Sequence, residues 1–229
     1  MIYLCLGRRE MGKTTLAAYL VRESNPRVLF DPRGLYPAVR RATTVQEIQQ
    51  AFDEAEIREG QIEIVITPDS QCQACFAWTC KEVKAWLQQD RAVAFVIDEM
   101  RFVDTDIEEL DWILRCATRE SVRVVFTGHR PSDVPTDIRA ITDYWLLFQA
   151  TQEHDLKVIR ERCTESVAST VERLAPRHFV AWDDARAQST VYRYPDRWYV
   201  PLGRPAPIRR ESNGLPAGEK AVDPGLDFG

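Results

Sequence analysis

The sequence predicts an α/β protein built on a mainly parallel sheet flanked by helices. Short apolar, β-branched or aromatic runs at 2–6, 27–30, 62–67, 92–97, 122–127 and 144–148 alternate with stretches of helical length at 13–23, 45–58, 71–89, 107–118 and 152–174. The run at 92–97 is apolar at successive positions. Strands of that kind are buried on both faces, which suits a parallel sheet covered by helices on each side. Length and composition agree. A chain of 229 residues, 45% of them hydrophobic, can pack one substantial domain, and general disorder is excluded.

Charge and cysteine use narrow the function classes. Thirty Lys and Arg against 35 Asp and Glu leave a net charge of -5. The chain is therefore no basic nucleic-acid coat, and any contact with nucleic acid must be local. No apolar run approaches the roughly 18 residues of a membrane helix. The opening 2–6 is too short for a signal segment, so a cytoplasmic protein with its six cysteines as thiols is expected.

The first strand, Ile2 to Leu6, runs into Gly7-Arg8-Arg9-Glu10-Met11-Gly12-Lys13-Thr14-Thr15 and then a helical Leu16-Ala17-Ala18-Tyr19-Leu20. This is the Walker A pattern of a P-loop in its strand-loop-helix context. The loop's backbone N–H groups and the helix N-terminus favour phosphate, and Lys13 reaches the β- and γ-phosphates. The Thr14 hydroxyl takes Mg²⁺ and Thr15 meets the α-phosphate. ATP and Mg²⁺ are the expected ligands.

Within 71–89, Cys72, Cys75, Phe76, Thr79, Val83, Trp86 and Leu87 recur at helical spacing on one face. The cysteines belong to a core stripe rather than a zinc site, since no paired ligand set follows and His154 and His178 stand alone. Strand 92–97 then ends in Asp98-Glu99, a Walker B pattern. Asp98 is placed to hold Mg²⁺ through water. Glu99, next along the chain and pointing differently, can orient and deprotonate an attacking water. The second carboxylate fits motor ATPases that hydrolyse with water better than small-molecule kinases.

Strand 122–127 leads into Gly128-His129-Arg130-Pro131-Ser132-Asp133, polar groups where a γ-phosphate sensor belongs. Tyr144-Trp145-Leu146-Leu147-Phe148 reads as a buried strand. Tyr192, Tyr194, Trp198 and Tyr199, interleaved with Arg193 and Arg197, favour packing over base stacking. From residue 195 Pro and Gly accumulate, with Arg197, Arg204, Arg209 and Arg210 first and Glu211, Glu219, Asp223 and Asp227 after. Residues 1–194 form the expected ATPase domain and 195–229 a C-terminal arm. A disordered end, a neighbour-clasping arm and a nucleic-acid arm are open readings of it, a partly ordered arm being favoured.

The segment from Val122 to Pro135 resembles the strand-end motif of the FtsK–HerA superfamily of DNA-pumping ATPases, in which a Gln commonly precedes Arg-Pro-Ser. Here His129 takes the Gln position, and an imidazole sensor is pH-sensitive. Val28-Leu29-Phe30-Asp31-Pro32-Arg33-Gly34-Leu35-Tyr36 resembles the Asp-Pro-x-Gly-Glu-Tyr turn of HerA-like ATPases, with Leu35 in place of Glu. Walker A, this turn, Walker B and the sensor strand, in that order, imply a P-loop NTPase of the RecA/ASCE type. A near-minimal core without large accessory domains looks most like the genome-packaging ATPases of tailless icosahedral viruses with an internal membrane.

The resemblance implies an ATPase that moves double-stranded DNA into a preformed capsid. It further implies a homo-oligomeric ring, six subunits favoured over five, and contact with capsid or portal-vertex proteins. The host cytoplasm during assembly is the expected location, with retention in the virion at a packaging vertex a further expectation. A Zot-like assembly or secretion ATPase acting on protein is the alternative, although such relatives usually carry a membrane segment. In rings, an arginine from the neighbour completes each site. Arg119, or failing that Arg115 or Arg130, is the candidate, although arginine also favours helix C-termini for dipole reasons.

Overall fold

The computed structural model describes residues 1–36, 38, 41–57 and 60–193, and the backbone of 209 and 210. All six expected strands form: β1 (Ile2–Leu6), β2 (Arg27–Phe30), β3 (Glu63–Ile66), β4 (Val93–Ile97), β5 (Val122–Gly128) and β6 (Tyr144–Leu147). They lie parallel in the order β3-β2-β4-β5-β1-β6. The sensor strand β5 is thus inserted between the two strands that carry the Walker motifs, the RecA/ASCE arrangement. Three further strands extend the sheet antiparallel beyond β6: β7 (His178–Asp183), β8 (Gln188–Arg193) and β9 (Arg209–Arg210).

Alternation along the strands sorts side chains into two layers. Ile2, Leu4 and Leu6 of β1, with Val93, Phe95 and Ile97 of β4, enter the larger core, whereas Tyr3, Cys5, Ala94 and Val96 enter the smaller one. That is the physical reason for runs without polar interruption: a central strand covered on both sides has no solvent face. The larger core receives α2 (Val45–Glu56), α3 (Cys72–Gln88), α4 (Glu108–Cys116), α5 (Thr136–Ile141), α6 (Glu153–Arg162) and α7 (Glu165–Glu172). The smaller core receives α1 (Lys13–Leu20) through Leu16, Ala17, Tyr19 and Leu20.

Local chemistry sets the helix bounds. Thr44 caps α2 by accepting the Glu47 N–H, while the Glu47 carboxylate accepts the Thr43 N–H at 2.7 Å, a reciprocal pairing of the capping-box kind. The expected helix at 152–174 is instead two helices. Thr164 turns extended, with φ -153° and ψ 165°, and its hydroxyl accepts the Val167 N–H, so it ends one helix by capping the next. In α3, Cys75 and Cys80 are buried with Phe76, Thr79, Val83, Trp86 and Leu87 along the expected face. Tyr192 is buried against Phe179, ring centroids 5.4 Å apart, which places it in packing. Tyr194, Trp198 and Tyr199 and most of the arm lie outside the described residues. Among the described residues no helix is long and apolar enough to cross a membrane.

Candidate nucleotide site

The parallel strands all point their C-terminal ends to one edge, and the expected site residues meet there. The backbone takes left-handed values at Glu10, φ 62°, and Gly12, φ 95°, which bends the Walker A chain between β1 and α1. Gly7 is required by space as well as conformation. A Cβ there would come within 2.5 Å of Phe148 Cβ, where only hydrogen fits. Helix α1 has no side-chain N-cap and no acidic residue in its first turn. Its uncapped N–H groups and positive dipole end are therefore available to an anion.

Lys13 opens α1, is buried, and donates to the Arg8 carbonyl at 2.8 Å. Burial lowers its pKa, and Glu99 and Asp98 pull it back up, so the ammonium is held over two carboxylates. Arg8 reaches across to the Thr151 hydroxyl in the loop after β6. Arg9 and Glu10 are exposed at the loop tip, Met11 and Gly12 are half-buried, and Thr15 sits half-buried in the first turn of α1.

The Thr14 hydroxyl donates to Asp98 Oδ1 at 3.2 Å and Oδ2 at 3.3 Å, joining the two Walker motifs. Asp98 is buried at the end of β4. Burial raises its carboxyl pKa to about 6; the Thr127 hydrogen bond opposes this, and Asp31 and Glu99 add to the rise. Such a charge in a dry, negatively biased place is what a divalent cation relieves. Thr14 and Asp98 are thus the residues that fit Mg²⁺, a hydroxyl and a carboxylate oxygen being hard ligands of the right type.

Glu99 turns away from Asp98 because its backbone is left-handed, φ 54° and ψ 59°, a conformation that costs on the order of 1–3 kcal/mol in a residue other than glycine. Its N–H is held by the Thr127 hydroxyl at 2.9 Å, and that same hydroxyl donates to Asp98 Oδ1 at 2.6 Å. Thr127 therefore orients the Asp98 carboxylate and holds the Glu99 backbone from which the second carboxylate departs. Sequence reasoning assigned it no role. The signal was a hydroxyl closing an otherwise apolar strand next to Gly128-His129.

His129 Nε2 approaches Glu99 Oε2 to 2.9 Å without hydrogen-bond alignment, a contact of charge and polarity. Burial first, then the Lys13 ammonium, lowers its pKa below the ordinary 6.5, while Glu99 pulls it up. Burial and the nearby ammonium thus favour the uncharged ring. Two guanidinium groups that sequence reasoning did not assign also reach Glu99: Arg33 Nη1 at 3.3 Å from Oε1 and Arg101 Nε at 3.4 Å from Oε2.

The turn after β2 is clamped from within. Gly34, φ 66°, closes an Asp31-Pro32-Arg33-Gly34 turn with its N–H on the Asp31 carbonyl at 3.1 Å. The fully buried Asp31 accepts the Tyr36 N–H at 2.9 Å and Arg41 Nη1 at 3.2 Å, and Arg41 also donates to Thr67 and the Tyr36 carbonyl. This presents Arg33 toward Glu99.

The three arginines expected as fingers are placed differently. Arg130 pairs with the buried Asp155 of α6 at 3.2 Å, and Ser132 donates to the same carboxylate at 2.9 Å. The Arg-Pro-Ser segment thereby docks α6 against the sensor loop. Arg115 pairs with Asp111, and Arg119 with Asp90 at 3.0 Å. Both lie ahead of β5, whereas the nucleotide side follows it. The seven residues of β5 span on the order of 20 Å, so within one subunit these two arginines are remote from Glu99.

Strand order, loop and paired carboxylates together define the fold of the P-loop ATPases, and the motif resemblance to FtsK–HerA proteins holds at the level of that fold. No family model matches the sequence, and no curated protein is similar to it in sequence. Solved structures share its fold. The genome packaging NTPase B204 from Sulfolobus turreted icosahedral virus 2, in complex with ATP-gammaS, superposes with a TM-score of 0.67 at 16% identity, over 85% of this chain and 96% of that one. The DNA-packaging ATPase B204 from Sulfolobus turreted icosahedral virus gives 0.66 at 15%, over 86% and 98%. VirB4 of Thermoanaerobacter pseudethanolicus gives 0.60 at 11%, over 86% and 90%.

Proposed function

We propose that this protein hydrolyses ATP with Mg²⁺ and uses the reaction to move double-stranded DNA, packaging a viral genome into a preformed capsid. The observation that carries the hydrolytic half is the convergence of Lys13, Thr14, Asp98, Glu99, Thr127 and His129 at one sheet edge, held by the bonds described above. The DNA half is supported by the shared fold with two packaging ATPases. A homo-oligomeric ring acting at a capsid or portal vertex, in the host cytoplasm and then at the packaging vertex of the virion, completes the proposal. Residues 1–194 serve as the motor and 195–229 as its arm.

In this reading the loop N–H groups and Lys13 bind the β- and γ-phosphates, and Thr14 and Asp98 hold Mg²⁺, which when bound neutralises phosphate oxygens. Glu99 accepts the proton of the attacking water. His129, next to Glu99, orients that water or bonds the γ-phosphate. Charge developing on the phosphoryl group is met by Lys13 and an arginine of the neighbouring subunit.

The test pairs binding with turnover. Lys13→Ala should lose ATP binding, while Glu99→Gln should bind normally and hydrolyse at least about a hundredfold more slowly. Wild-type hydrolysis should be stimulated by duplex DNA, and the protein should displace a third strand from a triplex in an ATP-dependent manner. Near-normal turnover by Glu99→Gln would overturn the assignment of the base. Hydrolysis indifferent to DNA would overturn the translocase.

A further inference from the structure

Glu99 is placed to accept a proton, yet both of its oxygens face guanidinium groups. Oε1 lies 3.3 Å from Arg33 and Oε2 lies 3.4 Å from Arg101, with the His129 imidazole 2.9 Å from Oε2. A water about to lose its proton needs one of these oxygens within about 2.6–3.2 Å and unengaged. As it stands, the carboxylate is held rather than poised.

The two arginines differ from the others near the site. Arg41 is taken up by Asp31, Thr67 and two backbone carbonyls, Arg130 by Asp155, Arg119 by Asp90 and Arg115 by Asp111. Arg33 and Arg101 pair instead with the one carboxylate the chemistry needs free. The Glu99 side chain is 4% exposed, against 33% for Arg33 and 43% for Arg101, so each ion pair has a buried end and an end open to solvent. Arg33 follows β2 and Arg101 follows β4, strands paired directly through Phe30 and Ile97. One ligand can therefore reach both.

We infer that Arg33 and Arg101 are positioning residues that restrain Glu99 in the absence of DNA, and that backbone phosphates of duplex DNA draw both guanidinium groups away and release it. The inference rests on the ATPase reading above and deepens it by naming the coupling element. Phosphate is the fitting competitor because guanidinium pairs with it in a planar, bidentate manner, whereas each arginine meets the buried Glu99 carboxylate through a single oxygen. A chain of net charge -5 offers no broad basic face, so DNA must be met by a few local arginines. Hydrolysis would then be spent only when DNA is engaged.

The experiment compares wild type with Arg33→Ala, Arg101→Ala and the double variant. Three quantities are measured: hydrolysis with and without duplex DNA, affinity for a fluorescent ATP analogue, and the salt dependence of DNA binding. Removal of each exposed ion pair should raise the DNA-free rate by about threefold to fivefold. The stimulation factor of the double variant should fall toward one. Nucleotide affinity should stay at the wild-type value, while the melting temperature should fall modestly, since each change leaves the buried Glu99 carboxylate with one cation fewer. The slope of log affinity against log salt should drop by about one per arginine, a readout independent of turnover. Arg33→Lys, which keeps charge without the fork, should restore part of the restraint.

A double variant that is still fully stimulated, or that loses DNA-free hydrolysis, overturns the restraint while leaving the ATPase reading intact. Wild type that hydrolyses ATP but ignores DNA overturns the translocase reading itself.

Discussion

Thr127 donates its hydroxyl proton to Asp98 Oδ1 across 2.6 Å, and with its lone pairs takes the N–H of the residue that follows Asp98. One buried hydroxyl on β5 thus fixes the Asp98 carboxylate and the backbone of Glu99, just beyond the end of β4. Thr127→Val keeps the shape and deletes the hydroxyl, leaving a buried carboxylate oxygen and a buried N–H short of partners. Stability should fall by about 1–3 kcal/mol, and hydrolysis by about tenfold to a hundredfold as the carboxylates lose their orientation. Thr127→Ser should recover most of both in thermal melts and steady-state assays. A fully active valine variant would remove Thr127 from the site.

Asp98 gives a pH signature. Its carboxyl is raised from the ordinary 3.8 to about 6, mainly by burial, so the charged form is disfavoured in the folded protein. The corresponding penalty, on the order of 3 kcal/mol, is complete above pH 6 and vanishes as pH falls toward 3.8 and below. Asp98→Asn should therefore melt higher than wild type at pH 8, without nucleotide or Mg²⁺, and the difference should disappear at pH 4. It should also abolish Mg²⁺-dependent hydrolysis. An asparagine variant that melts lower at pH 8 would contradict the buried, uncompensated charge.

Gly7 is a steric prediction. Alanine there would set its Cβ 2.5 Å from that of Phe148, a backbone-anchored atom that cannot swing aside. Overpacking of this kind costs about 1–3 kcal/mol. The P-loop should shift, so nucleotide affinity should drop together with the melting temperature. Gly7→Ala combined with Phe148→Gly should regain part of the loss, because only removal of the Phe148 Cβ relieves that contact.

The neighbour's arginine is tested by mixing. Arg119→Ala and Lys13→Ala proteins, each inactive alone, should recover hydrolysis when co-assembled, at interfaces pairing an intact Walker A loop with an intact finger. Arg119 and Arg115 are far from Glu99 in their own subunit and hold only exposed partners, Asp90 and Asp111, so either is free to be recruited by another copy. Arg130 is tied to a buried aspartate, and its alanine variant should lose stability as well as activity. No recovery in verified mixed rings, for any of the three, would place the finger elsewhere.

What could be read from the residues alone was whatever is contiguous along the chain. A phosphate loop needs its glycines, lysine and hydroxyl in one turn between a strand and a helix, so Gly7 to Thr15 are legible without neighbours. A Walker B strand carries its own burial signal and its own two carboxylates. The helix at 152–174 was misjudged because its apolar rhythm continues through Cys163 and Thr164, and only the outward turn of Thr164 reveals the cap. The hairpin of β7 and β8 went unnamed because its strands follow the motif-bearing region and have no turn dipeptide between them.

The remaining features belong to the tertiary structure, since they depend on which strands lie side by side. Inserting β5 between β1 and β4 puts Thr127 against Asp98, 29 residues away in sequence, and His129 against Glu99. Pairing β2 with β4 carries Arg33 across 66 positions to the same carboxylate. Residue spacing cannot encode such meetings, because a hydrogen bond or an ion pair is decided within about 4 Å of space, and the chain's path between two strands leaves their lateral order open. The sequence by itself determined a phosphate-loop pattern at the end of a buried parallel strand. Folding decided which cations and hydroxyls surround the carboxylate near that loop, because only the packed sheet brings distant loops to one edge.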